Sequence, residues 1–276
     1  MLNLAILCPV KWIKKYSMAK VLKPLMADVA LLESENGVQL NIGQSIRSFE
    51  GTLSLVLADN LGSNGIGGFM ESFSAKRPCR FCMGILDEFQ TKFTEEEFTM
   101  RSREMYDRHA AFSRIDPNSA SIYGVKTQSL LNCSKYYHVV DGLPSDIMHD
   151  ILEGVWPLHL KVMLRKFIFK EKMFTLDELN RRIKGFPYGP NDFRNKPSLL
   201  KNLTLSDYNM CQSASQMWCL SRLLPLIIYD FVPEHNPDWE LFGDLMKLVD
   251  IVIAPVIRKE TTYYLAVLIK DYLKEF

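Results

Sequence analysis

Residues 52–58, TLSLVLA, are an apolar, β-favouring run with Gly51 before it and Asp59 with a glycine-rich segment after it. A run this short, rich in Leu and Val and bounded by turn residues, is predicted as a buried strand, and a buried strand needs neighbours to take up its backbone hydrogen bonds. That requirement constrains the fold more than any other feature. Upstream, residues 4–8 read as a second short buried strand ended by Pro9. Apolar residues at 18, 21, 22, 25, 26, 29 and 32 predict an amphipathic helix over 16–33, closed by Asn36-Gly37. Val38–Ile42 and Ser45–Phe49 alternate around Gly43 and predict a small hairpin.

Downstream of Asp59, NLGSNGIGG reads as a glycine-rich turn, 69–75 as a helix, and Cys79-Arg-Phe-Cys82 as a knuckle. Residues 87–108 are charged and helical or loose, with Thr94 and Glu97 spaced as a capping box. Short extended pieces are predicted at 122–131 and 136–140. Pro144-Ser145 opens a helix running to about Phe169, and Thr175 opens another over 174–182. A Pro- and Gly-rich loop follows at 185–197, and 206–276 is helical by pattern. The predicted fold is mixed α/β: a core with few strands and the C-x-x-C over 1–86, a charged linker with short extended segments over 87–144, and a mainly α-helical region over 145–276.

With 47% hydrophobic and 24% charged residues among 276, the chain can bury one or two cores. Pro225 and Pro255 interrupt its greasiest stretches, so no membrane span is expected. At the N-terminus the apolar run precedes the positive charges, the reverse of a secretory signal, and a nuclear or cytoplasmic protein is expected. Six cysteines with one close pair do not form a disulfide framework. A net charge of only +1 restricts nucleic-acid contact to local patches. Residues 161–201 supply such a patch, with eleven Lys or Arg against four acids, a net of +7. The stretch is a candidate DNA contact, although a run of this kind is more often a solvated helix face.

Several residues could carry chemistry. Asp59, at the exit of the predicted strand, stands where α/β sheets place their sites and offers a hard oxygen to Mg²⁺ or Mn²⁺; equally, it can cap the turn that follows. The glycines at 62, 65, 67 and 68 match no phosphate-binding loop. Cys79 and Cys82 have the spacing of two thiolates on one Zn²⁺, and an inert buried pair is the equal alternative. His138 and His149 are the candidate further ligands. Asp146, His149 and Asp150 fall on one side of a helix start by their offsets, and a His in that position is also a common capping residue.

Taken in order, LADNLGSNGIGGFMESFSAKRPCRFC at 57–82, YYHVVDGLPSDIMHDILEGV at 136–155 and, more loosely, LNLAILCPVKWIKKYSMAKVLKPLMADVALLE at 2–33 resemble the CACTA/EnSpm-like DNA transposases. The resemblance covers most of the first 155 residues. It implies a truncated ribonuclease H-like core with a helical insertion, and an acidic triad holding two Mg²⁺ or Mn²⁺ ions that cut and join DNA. Asp59 matches the second acid, Asp146 and His149 match the family's D-x-x-H, and Cys79 with Cys82 match a structural zinc site. The first acid of the pattern lies upstream of Leu2 and the last beyond a helical insertion. The expectation is therefore a transposon-derived, catalytically incomplete chain, inactive alone. The alternative is a co-opted nucleic-acid- or protein-binding helical module. A core missing strands would also leave a sheet edge at 4–8 or 52–58, inviting self-association or pairing with a partner chain.

Overall fold

The computed structural model describes residues 4–201, 203 and 210–276. It divides into two compact units, Met1–Asp146 and Ile147–Phe276. The chain is mostly helical, and its described residues contain two antiparallel strands.

In the first unit the predicted helix over 16–33 is split. α1 (Val10–Tyr16) and α2 (Met18–Leu32) meet at Ser17, whose φ of 78° breaks the helical path. Only Met26 and Val29 of α2 are fully buried. β1 (Val38–Ile42) and β2 (Ser45–Phe49) pair from Val38 opposite Phe49 to Ile42 opposite Ser45, with Gly43 at φ 63° in the turn. This hairpin is exposed along almost its whole length and builds no core. Both predicted buried strands are corrected. Residues 4–8 and 52–58 are not strands: Leu4, Leu7, Leu55 and Leu57 are exposed, and only Leu53 and Val56 of the second segment pack on a core. Among the described residues the 52–58 backbone finds one ladder-like bond, Val56 N–H to the Gly142 carbonyl at 2.9 Å, so the neighbours that a buried strand needs are missing.

The glycine-rich segment is helical, not a turn: it forms α3 (Asn60–Gly67), capped at its C-terminus by Gly68 at φ 71°. Packing explains the glycines, because a β-carbon on Gly67 would lie 2.7 Å from both Leu143 and Phe69. The helix predicted over 69–75 is absent; Phe69 instead bridges antiparallel to Val125. Residues 87–144, expected as a linker, supply much of the core. α4 (Arg103–Ile115) buries Tyr106 and Ala110, and α5 (Ser119–Tyr123) and α6 (Val139–Gly142) follow, α6 standing where an extended piece was predicted. Phe69, Tyr106, Val125, Leu131, Val139 and Leu143 form one buried cluster with Met26 and Val29.

The second unit is helical. A π-helix over Met148–Val155 runs into α7 (Trp156–Arg165), and a second π segment, Lys166–Lys170, extends it. α8 (Leu176–Gly185) starts at Thr175, whose hydroxyl accepts the Glu178 N–H at 3.1 Å. α9 (Ala214–Ile228) continues through Pro225, α10 (Pro237–Val252) follows with Pro237 in its first turn, and α11 (Lys259–Glu275) closes the order. The start of the predicted helical tail at 206 lies outside the described residues. Trp156, Leu160, Leu164, Phe167, Leu220, Leu224, Phe242 and Val249 make the core. No helix among the described residues is long and apolar enough to cross a membrane.

Candidate functional site

Asp59 is the N-cap of α3, with its Oδ1 accepting the Gly62 N–H at 2.5 Å. The capping role thus exists, and it leaves room for another, since Asp59 is exposed and its second carboxylate oxygen has no hydrogen bond to a described residue. The helix N-terminus beside it presents backbone N–H groups and the positive end of the helix dipole.

The next residue ties this corner to the rest of the unit. Arg80, between the two knuckle cysteines, is 6% exposed. Its guanidinium donates to Asn60 Oδ1 at 2.8 Å, to the Pro144 carbonyl at 2.7 Å and to the Leu143 carbonyl at 3.4 Å. One buried side chain therefore joins the residue after Asp59, the C-x-x-C, and the segment leading into Asp146. A buried guanidinium is stable only when its donors meet acceptors, and here two backbone carbonyls and an amide do so.

At the knuckle, Cys79 Sγ accepts the Phe81 N–H at 3.3 Å and Cys82 Sγ accepts the Gly84 N–H at 3.4 Å. The Cys82 thiol donates to Cys79 and holds the Cys79 thiol down to about 6, while the same partnership and burial push Cys82 far up. Arg101, 5% exposed and lowered by burial to about 10, favours negative charge on both sulfurs. Its Nε and Nη1 donate to the carbonyls of Cys79 at 3.1 Å and Tyr123 at 2.8 Å, and its Nη2 is buried without a partner. Two soft sulfur donors with N–H support, sharing one proton between them, would fit half of a tetrahedral zinc site once that proton is lost.

No third ligand joins them: among the described residues no group of three or more His, Cys, Asp or Glu could hold a metal ion. His138 is engaged elsewhere, with Nδ1 accepting the Val140 N–H at 3.1 Å and Nε2 lying 2.9 Å from Asn132 Nδ2 and 3.5 Å from Asp107 Oδ1.

No family model, curated protein or solved structure matches this chain.

The D-x-x-H divides between the units. Asp146 ends the first, immediately before the helical segment that begins at Ile147. His149 and Asp150 lie in the second, in the π-helix over Met148–Val155, and His149 Nε2 is 3.8 Å from Glu153 Oε2. The basic stretch is partly spent on folding. Lys161 is 1% exposed, Lys166 pairs with Asp238 and Glu171, Arg181 and Arg182 pair with Glu178, and Arg182 also clamps Asp230. Sequence reasoning missed Arg80, Arg101 and Tyr106, because a buried polar side chain takes its role from distant partners and leaves no local pattern.

Proposed function

We propose that this chain derives from a cut-and-paste DNA transposase of the CACTA/EnSpm type and carries residues of its ribonuclease H-like catalytic region. The observation that most supports this reading is the Arg80 clasp. Asp59, the C-x-x-C and the entry to the D-x-x-H are the three parts of the resemblance, and each has a residue within reach of that one guanidinium. The orphan run 52–58 also fits a core whose remaining strands are not met among the described residues.

In this reading Asp59 ligates Mg²⁺ or Mn²⁺ through the carboxylate oxygen that its cap leaves open. The N-terminus of α3 attracts a phosphate, and Asp146 and His149 keep the roles that the D-x-x-H implies, each within its own unit. Bound metal would supply Lewis acidity and an activated water. Cys79 and Cys82 would hold half of a structural zinc site. The resemblance assigns one triad acid among the described residues, Asp59, and one carboxylate does not hold a metal pair, so no nicking by these residues is expected. Incubation of supercoiled DNA with the chain and Mg²⁺ or Mn²⁺ tests that: no nicking above background is expected, and robust nicking lost in Asp59→Ala would overturn it. A non-catalytic nucleic-acid-binding module, the second reading, would rest on the basic residues left without ion pairs to described residues, among them Lys170, Lys172, Lys184 and Arg194.

A further inference from the structure

The first unit holds a cavity of about 510 Å³ between the loop after Cys82 and one face of α4, lined by neither Asp59, Asp146 nor the cysteines. Its volume is that of a small-molecule site. Met83, Phe98 and Met105 make apolar walls. Tyr123 adds a flat aromatic surface, held in place by stacking on His109 at 4.2 Å between ring centroids with the planes 12° apart.

Most charges on the lining already have work. Lys92 pairs with Glu88, Glu88 Oε2 accepts the Ile85 N–H at 3.0 Å, and Glu97 Oε2 accepts the N–H groups of Phe93 and Thr94 at 2.9 and 3.0 Å. Two lining groups are left over. Arg77 donates from Nε to the Ile122 carbonyl at 2.9 Å, which orients the guanidinium, and its Nη groups have no hydrogen bond to a described residue. His109 is 9% exposed and its Nδ1 is buried without a hydrogen-bond partner, a rarity that asks for an explanation. Burial first, and the charges of Arg101, Arg108 and Arg77 after it, push His109 toward its neutral form.

We propose that this cavity binds a small flat aromatic anion, its ring laid against Tyr123 and the apolar walls and its negative group on the Nη face of Arg77. His109, stacked behind Tyr123, holds that ring in place for the ligand. A nucleotide and an aromatic carboxylate share this chemistry, and neither depends on the transposase reading.

Titration calorimetry on the full chain with AMP and with 2-naphthoate, against adenosine and 2-naphthamide as uncharged counterparts, tests it. At least one anion should bind saturably with one-to-one stoichiometry, its uncharged counterpart about tenfold more weakly or worse, and which anion binds assigns the source. Arg77→Gln should weaken binding about tenfold or more, and Met105→Trp, which fills the cavity, should abolish it. Amide signals of Ile122 and Tyr123 should shift on titration of the unsubstituted chain, a readout that holds even if the tryptophan variant misfolds. Absence of saturable binding of both anions at millimolar concentration, an unchanged affinity in Arg77→Gln, or shifts confined to other parts of the chain would each overturn the proposal.

Discussion

Tyr106 shows how much a single side chain can organise. It is 0% exposed, its hydroxyl donates to the Gly67 carbonyl at 2.7 Å with the Thr127 carbonyl 3.1 Å away, and it accepts the Ser129 N–H at 3.0 Å. The end of α3, the backbone at Thr127 and the turn at Ser129 thus share one oxygen. Tyr106→Phe keeps the ring against Phe69 and removes that oxygen, leaving a buried N–H and carbonyl unpaired. A loss of roughly 1–3 kcal/mol is expected, read as a lower urea midpoint with an unchanged slope. An unchanged midpoint would mean that the hydroxyl contributes nothing. None of this was legible in sequence, where Tyr106 sits in a charged stretch read as linker. Cys79, Cys82 and Asp59 were legible as candidates because their chemistry depends on local spacing, and the capping half of the Asp59 reading is seen directly. A third zinc ligand was not legible, and one of the two histidines named as candidates, His138, spends both ring nitrogens on its neighbours.

At the scale of elements, legibility follows how local the driving pattern is. β1 and β2 were readable from alternation around a glycine, and α2 and α8 from apolar spacing and a cap. α3 was not, because glycine disfavours helices and only the close approach of Leu143 and Phe69 explains its presence there. The strand prediction at 52–58 failed for the converse reason: β-propensity describes fit to a neighbour, and no strand lies beside it among the described residues. In the second unit, α7 and α11 meet through a buried polar pair, His159 Nδ1 and the Tyr272 hydroxyl at 2.9 Å, with the His159 ring stacked on Tyr272 and Phe276. Burial lowers His159 to about 4, so it is neutral when folded. Its unfolded value is near the ordinary 6.5, so the unfolded chain binds the extra proton between these values. Its contribution is fully present above about 6.5 and declines as pH falls, by roughly 2 kcal/mol between about pH 7 and pH 5 and about 3 kcal/mol by about pH 4. Urea denaturation of the second unit's tryptophan signal across that range should show the loss, and His159→Phe should remove it. A slope identical in the variant would contradict the assignment.

Across the whole molecule, the two units carry different kinds of information. Ile147–Phe276 is a helical body with a large continuous apolar core, and its basic residues are substantially engaged in ion pairs within it. Met1–Asp146 has a smaller core, a hairpin exposed to solvent, exposed apolar side chains at Leu4, Leu7, Leu55 and Leu57, and the motif-bearing corner drawn together by Arg80. Under the proposed function this corner is shaped around divalent metal and phosphate, with Asp59 as the ligand. Titration of the isotopically labelled chain with millimolar Mn²⁺, followed by paramagnetic broadening of its amide signals, tests that claim most directly. Broadening should begin at Asn60 to Ser63 and at Leu143 to Asp146 and disappear from both in Asp59→Asn. Broadening that starts instead in the acidic stretch between Asp87 and Asp107, or that is the same in Asp59→Asn, would contradict it.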